Sequence, residues 1–121
     1  MDTPFYQVCK LDPTVQDLLG GTEPRIYPFG QAPQNVAKPY VVYQWIGGAP
    51  FNMLNCRPDA DQTSIQVDVY GLTTQSSAMV AKAIRYAIEL DAYVTSYRGD
   101  SREEDTKLYR TSFDVDWLVN R

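Results

Sequence analysis

QVDVY at 66–70 and SFDVDW at 112–117 decide the fold. Both alternate apolar side chains with polar or acidic ones, the two-residue period of a strand that has one face in a core. Val67 and Val69 then point opposite to Gln66, Asp68 and Tyr70, and Phe113, Val115 and Trp117 point opposite to Asp114 and Asp116. Placed in one sheet, the two segments give it an apolar face and an acidic face, which is a surface rather than a pocket.

Outward from these segments the pattern is one of strands around a single helix. Residues 63–70 read as a strand, and Gly71 to Thr74 lead into a helix that Thr73 or Thr74 can cap. Val80, Ile84, Ala87 and Ile88 recur there at helical spacing, while Lys82, Arg85 and Glu89 fall elsewhere, so one stripe lies on the sheet. Residues 93–98 and 108–118 form two further strands around a charged hairpin tip, GDSREEDTK at 99–107. Upstream, 40–46 is rich in β-branched and aromatic residues between Pro39 and Gly47-Gly48, and reads as a strand apolar on both faces and central in the sheet. Arg25-Ile26-Tyr27 forms a short edge strand stopped by Pro28. The first twenty residues read as helical, with Phe5, Val8 and Leu11 at helix spacing, a second start at Asp12-Pro13 and a stop at Gly20-Gly21. Residues 47–62 read as a long connection that carries Phe51, Met53 and Leu54, either folded onto its own core or in contact with another subunit. The fold class is α+β, one two-layer domain over 1–121: a mostly antiparallel sheet covered on one face by one long helix, with a short N-terminal helical segment.

Composition excludes several functions. A chain of 121 residues suits one domain, and 44% hydrophobic with 21% charged residues is ordinary for a globular protein. The net charge of −4 argues against a grip on phosphate backbones, which needs clustered Lys and Arg. Without histidine, a Ser, Thr or Cys nucleophile lacks its commonest base, and no enzyme is expected. Asp114 and Asp116 are two apart on a strand and read as a solvated face rather than an acid–base pair. Asp59 and Asp61 after Arg57-Pro58 lack the glycine and distal glutamate of a calcium loop and read as a turn; neither a metal nor a cofactor is expected. Cys9 and Cys56 lack metal-ligand spacing and are expected to be inert reduced thiols in a cytoplasmic setting. No stretch approaches the roughly 20 apolar residues of a membrane span, and the start of the chain does not resemble a secretion signal. Arg98, Arg102, Glu103, Glu104 and Asp105 give the hairpin tip both signs of charge; such a tip is either solvated or paired with a neighbouring copy.

In order along the chain, YPFGQAPQ at 27–34, KPYVVYQW at 38–45, RPDAD at 57–61, QVDVY, YRGDSREEDTKLYR at 97–110 and SFDVDW resemble the tail-completion or tail-terminator proteins of long-tailed bacteriophages, formerly a domain of unknown function. The resemblance covers nearly the whole chain and rests on the ordered set, since no single motif is specific. It implies a non-enzymatic virion protein, assembled in the host bacterial cytoplasm, that forms a ring of six copies on the head-proximal end of the tail tube. Such a ring stops tube growth, docks the tail to the head–tail connector or stopper protein, and lets DNA pass without reading its sequence. Under that reading Asp68, Asp114 and Asp116 are candidates for the lumen. Phe51, Met53, Leu54, Arg57, Arg98 and Arg102 are candidates for contacts with other subunits or partners. The segment 51–56 does not match the family closely. The alternative is a small cytoplasmic dimer that binds a ligand or peptide through its tyrosines.

Overall fold

A computed structural model describes residues 4–50, 60–104 and 106–120. The elements run α1 (Phe5–Lys10), α2 (Pro13–Leu19), β1 (Ile26–Pro28), β2 (Tyr40–Pro50), β3 (Ala60–Gly71), α3 (Thr74–Ile88), β4 (Ala92–Arg102) and β5 (Tyr109–Asn120). The strands form a five-stranded sheet in the order β1-β2-β3-β5-β4. β1 joins β2 in parallel; the other neighbours are antiparallel. β3 and β4 therefore run the same way on either side of β5, and α3 is the crossover that connects them.

The two deciding segments pair directly. Val67 lies opposite Phe113, Ile65 opposite Val115 and Asp68 opposite Ser112, so the alternation in each strand falls on matching faces. Val41, Ile65, Val67, Val69, Phe113, Val115 and Trp117 are buried beneath the helices. α3 supplies Val80, Ala81, Ile84 and Ile88 to that core, and Ala87 is only partly buried. Thr73 is the cap of α3: its side-chain oxygen accepts the Ser76 amide at 3.0 Å. On the same side Thr111 Oγ1 donates to Ser77 Oγ at 3.1 Å, a buried polar contact between β5 and α3. Gly71 lets β3 turn closely into α3, where a Cβ would stand a tight 3.0 Å from the Ser77 amide nitrogen.

Four expectations are corrected. The N-terminal segment restarts at Asp12-Pro13 as expected, but the buried face of its first helix is Phe5 and Cys9, with Val8 half-buried and Leu11 78% exposed. The break after Lys10 turns Leu11 away; Asp12 then caps α2 by accepting the Thr14 and Val15 amides, and Gly20 closes it at φ 102°. β2 is not central, since only the three-residue β1 lies outside it. Nor is 47–62 a connection throughout, because β2 and β3 continue as a hairpin with Gly47 opposite Ser64 and Pro50 opposite Asp61, past an irregularity between Trp45 and Gly47. Glycine and proline are tolerated there because β1 pairs only as far as Tyr43, which leaves the outer edge of β2 open and asks no further amide of it. Phe51, Met53, Leu54, Arg57, Cys56 and Asp59 lie outside the described residues. At the other hairpin β4 runs to Arg102 and β5 starts at Tyr109, which shortens the predicted tip.

Ile84 is fully buried between α3 and the sheet, so Ile84→Ala should cost about 2–5 kcal/mol of stability in urea titration. Burial, with a smaller contribution from Asp12, pushes the Cys9 thiol up to about 12. In the unfolded chain that thiol ionises near its ordinary value of 9.0 while the folded chain keeps its proton, so stability should fall as pH rises from 9 towards 12. Urea titrations across that range should show a shallower fall for Cys9→Ala than for the parent chain.

Candidate functional site: the uncovered sheet face

The helices cover one face of the sheet, and the other carries the carboxylates. β3 contributes Gln62, Ser64, Gln66, Asp68 and Tyr70; β5 contributes Arg110, Ser112, Asp114 and Asp116, because alternate residues of paired strands share a face. Cross-strand neighbours tie the acids down. Ser112 Oγ donates to Asp68 Oδ1 at 2.5 Å, and Gln66 Nε2 donates to the same carboxylate at 3.1 and 3.2 Å. Ser64 Oγ and Gln62 Nε2 donate to the two oxygens of Asp116 at 2.5 and 2.9 Å. Arg98 Nη1 on β4 donates to Asp114 Oδ2 at 2.7 Å, a contact that raises the arginine pKa further.

The expected acidic, solvated face is thus a hydrogen-bonded lattice that includes two arginines. Asp68 is 7% exposed although no helix covers it, while Asp114 and Asp116 are half-buried. At one end Tyr40 and Tyr70 stack with ring centroids 5.0 Å apart, beside Arg110, which stands 4.0 Å from Glu103. Burial and the nearby carboxylates Asp68 and Glu103 push the Tyr70 hydroxyl up, against the lowering effect of Arg110. Such an arrangement holds charge in place. Among the described residues no cluster of three or more His, Cys, Asp or Glu could hold a metal ion.

The structure brings Asp68, Asp114, Asp116 and Arg98 together on this face. Arg102 stands apart at the end of β4, exposed, with its guanidinium 5.5 Å from the Tyr109 ring centroid. Period two places Ser112 on this face from the sequence, but sequence reasoning missed Gln62 and Ser64 and the pairing of Ser112 with Asp68, although small polar residues at alternate positions facing aspartates were the available signal. It also missed a second feature: an open cleft of ≈ 990 Å³ between α1 and the β1–β2 margin, walled by Tyr6, Tyr27, Phe29, Tyr43 and Trp45 with Glu23 on it.

Because Asp68 is buried and Ser112 is its hydroxyl donor, Ser112→Ala should cost about 1–3 kcal/mol in chemical denaturation. Ser64→Ala, beside the more exposed Asp116, should cost less in the same assay.

Among solved structures the chain is similar to one in the virion of a native gene transfer agent particle, with a TM-score of 0.76 and 14% identity, over 97% of this chain and 92% of that one. That likeness is one of fold. No curated protein matches the sequence. The profile of the family described as "Tail completion protein gp17" matches residues 3–120. With its α+β sheet, its uncovered polar face and this match along its length, the chain belongs to the tail completion protein gp17 family, structural components of the virion tail and not enzymes.

Proposed function

We propose that the chain forms a six-membered ring at the head-proximal end of the tail tube, ends tube polymerisation, docks the tail to the head–tail connector or stopper protein, and leaves a bore for DNA. The observation that carries this reading is the uncovered sheet face, where each of three carboxylates is held by donors of its own sheet. A wall along which a polyanion must slide needs fixed negative or neutral groups and no mobile cations, since each Lys or Arg that neutralises a phosphate adds to the grip. Arg98 is occupied by Asp114 and is restrained from reaching a passing backbone. Of the three carboxylates, Asp114 and Asp116 are exposed enough to act on DNA directly; Asp68 acts by its field alone.

Ring closure also suits the sheet margins. β2 is open beyond Tyr43 and β4 is an edge along its length, so neighbouring copies could cover backbone groups that otherwise invite uncontrolled pairing. In this reading Phe51, Met53, Leu54 and Arg57, together with the exposed Arg102 on β4, contact neighbouring subunits or the tube, while Arg98 stays on the bore wall with Asp114. Family membership leaves the small-ligand dimer without support.

Purified protein should run as a six-copy species by mass measurement, alone or with tail-tube protein added, and rings should be visible by negative stain. Persistent monomer in both conditions would remove the ring. Asp114→Asn with Asp116→Asn should leave assembly intact and slow DNA release from particles severalfold, because Arg98 loses its carboxylate and faces the bore. Ejection at the parent rate would place this face elsewhere than the bore.

A further inference from the structure

The outward side of α3 carries exposed apolar residues, the first of them, Met79, beside Leu18 of α2. Met79, Tyr86 and Leu90 are 50%, 77% and 97% exposed, and with exposed Lys82 they recur at spacings of three and four, a stripe on the helix back continued one residue pair beyond its end. Flanking Arg85 and Glu89 lie 4.0 Å apart and offset one another, so Lys82 is the charge the stripe presents. The cleft at the β1–β2 margin has the complementary character. Its walls are aromatic, with Phe29 70% and Trp45 59% exposed, and Glu23 is its one charged lining residue. Neither Glu23 nor Lys82 has an ion-pair partner among the described residues.

We propose that the back of α3 from one copy seats in the aromatic cleft of the next, with Lys82 against Glu23. The cleft cannot take its own stripe: α3 presses its other side onto β3, β5 and β4, whereas the cleft is walled by α1, β1 and β2. A helix stripe with anchors at three and four residues is the shape that fills an apolar groove, and opposite single charges set its register. The occupant is a second copy, because the same chain carries both halves of the match: an aromatic cleft with one carboxylate, Glu23, and an apolar stripe with one cation, Lys82. Unlike surfaces meet, so the contact is head-to-tail and repeats from copy to copy. This inference rests on the ring reading in that it needs copies side by side, but it assigns the contact to particular surfaces.

The test is self-association of the full chain, followed by sedimentation across concentration with and without tail-tube protein. Leu90→Asp and Phe29→Asp change exposed residues, and thermal melts should confirm that both variants fold. Each should weaken association at least about tenfold. Glu23→Lys and Lys82→Glu should each weaken it about two- to threefold, and the double variant should recover the loss. Parent-like rings from Leu90→Asp and Phe29→Asp would overturn the assignment and leave the ring standing. Parent dimers, not rings, that are lost in these variants would support the assignment and sink the ring. Monomer under every condition would remove both. Loss of tube-protein binding with self-association unchanged would make the tube protein the occupant and overturn the proposal.

Discussion

The register between β3 and β5 is the constraint on which the rest depends. Twelve consecutive residue pairs join the strands, from Ala60–Asn120 to Gly71–Tyr109. Since side chains alternate, a slip of one residue would turn Val67 and Val69 out to water and drive Asp68 and Gln66 under α3. The penalty is severe on both faces at once: lost apolar burial on one, and unpaired buried carboxylate on the other. The Ser112–Asp68 and Ser64–Asp116 contacts form only in the native register, so the polar face supports the pairing that the core requires.

That two-sided agreement is why the centre of the fold is legible in the sequence. QVDVY and SFDVDW state their faces unambiguously, the stripe of α3 follows with Val80, Ile84 and Ile88, and Thr73 marks its start. Legibility decays towards the margins. Gly47, Gly48 and Pro50 are turn signals wherever a strand must pair on both sides, and they mislead in β2 because one of its sides is open there. In α1, three apolar residues fit a helical stripe by spacing, yet the helix stops after Lys10 and Cys9 takes the buried place that spacing gave to Leu11. A local pattern cannot say how many turns a helix completes before its face must change.

The candidate site shows the same division. That aspartates share a face follows from period two alone; how exposed each one is does not. Asp68 sinks to 7% exposure because β2 and β5 flank its strand and Gln66 and Ser112 close over it, whereas Asp114, met by Arg98 from β4, stays 20% exposed. Neighbours across strands are set by a register that no single segment contains. The aromatic cleft is harder still to foresee, since Tyr6 comes from α1, Phe29 from the turn after β1 and Trp45 from β2, and they meet only in the folded chain.

A carboxylate that moves protons must be reachable by substrate and must be able to change its protonation without losing its place. On this face each acid accepts from a partner that is itself fixed on a strand: Ser112 and Gln66 for Asp68, Gln62 and Ser64 for Asp116, Arg98 for Asp114. Protonating any of them would weaken contacts that align three strands. The same bonds that disqualify the face for chemistry make it stiff, with its arginine charges neutralised in place. Stiffness without reactivity suits a surface whose work is to be passed over or packed against, and the aromatic cleft and the back of α3 remain as the places where affinity can reside.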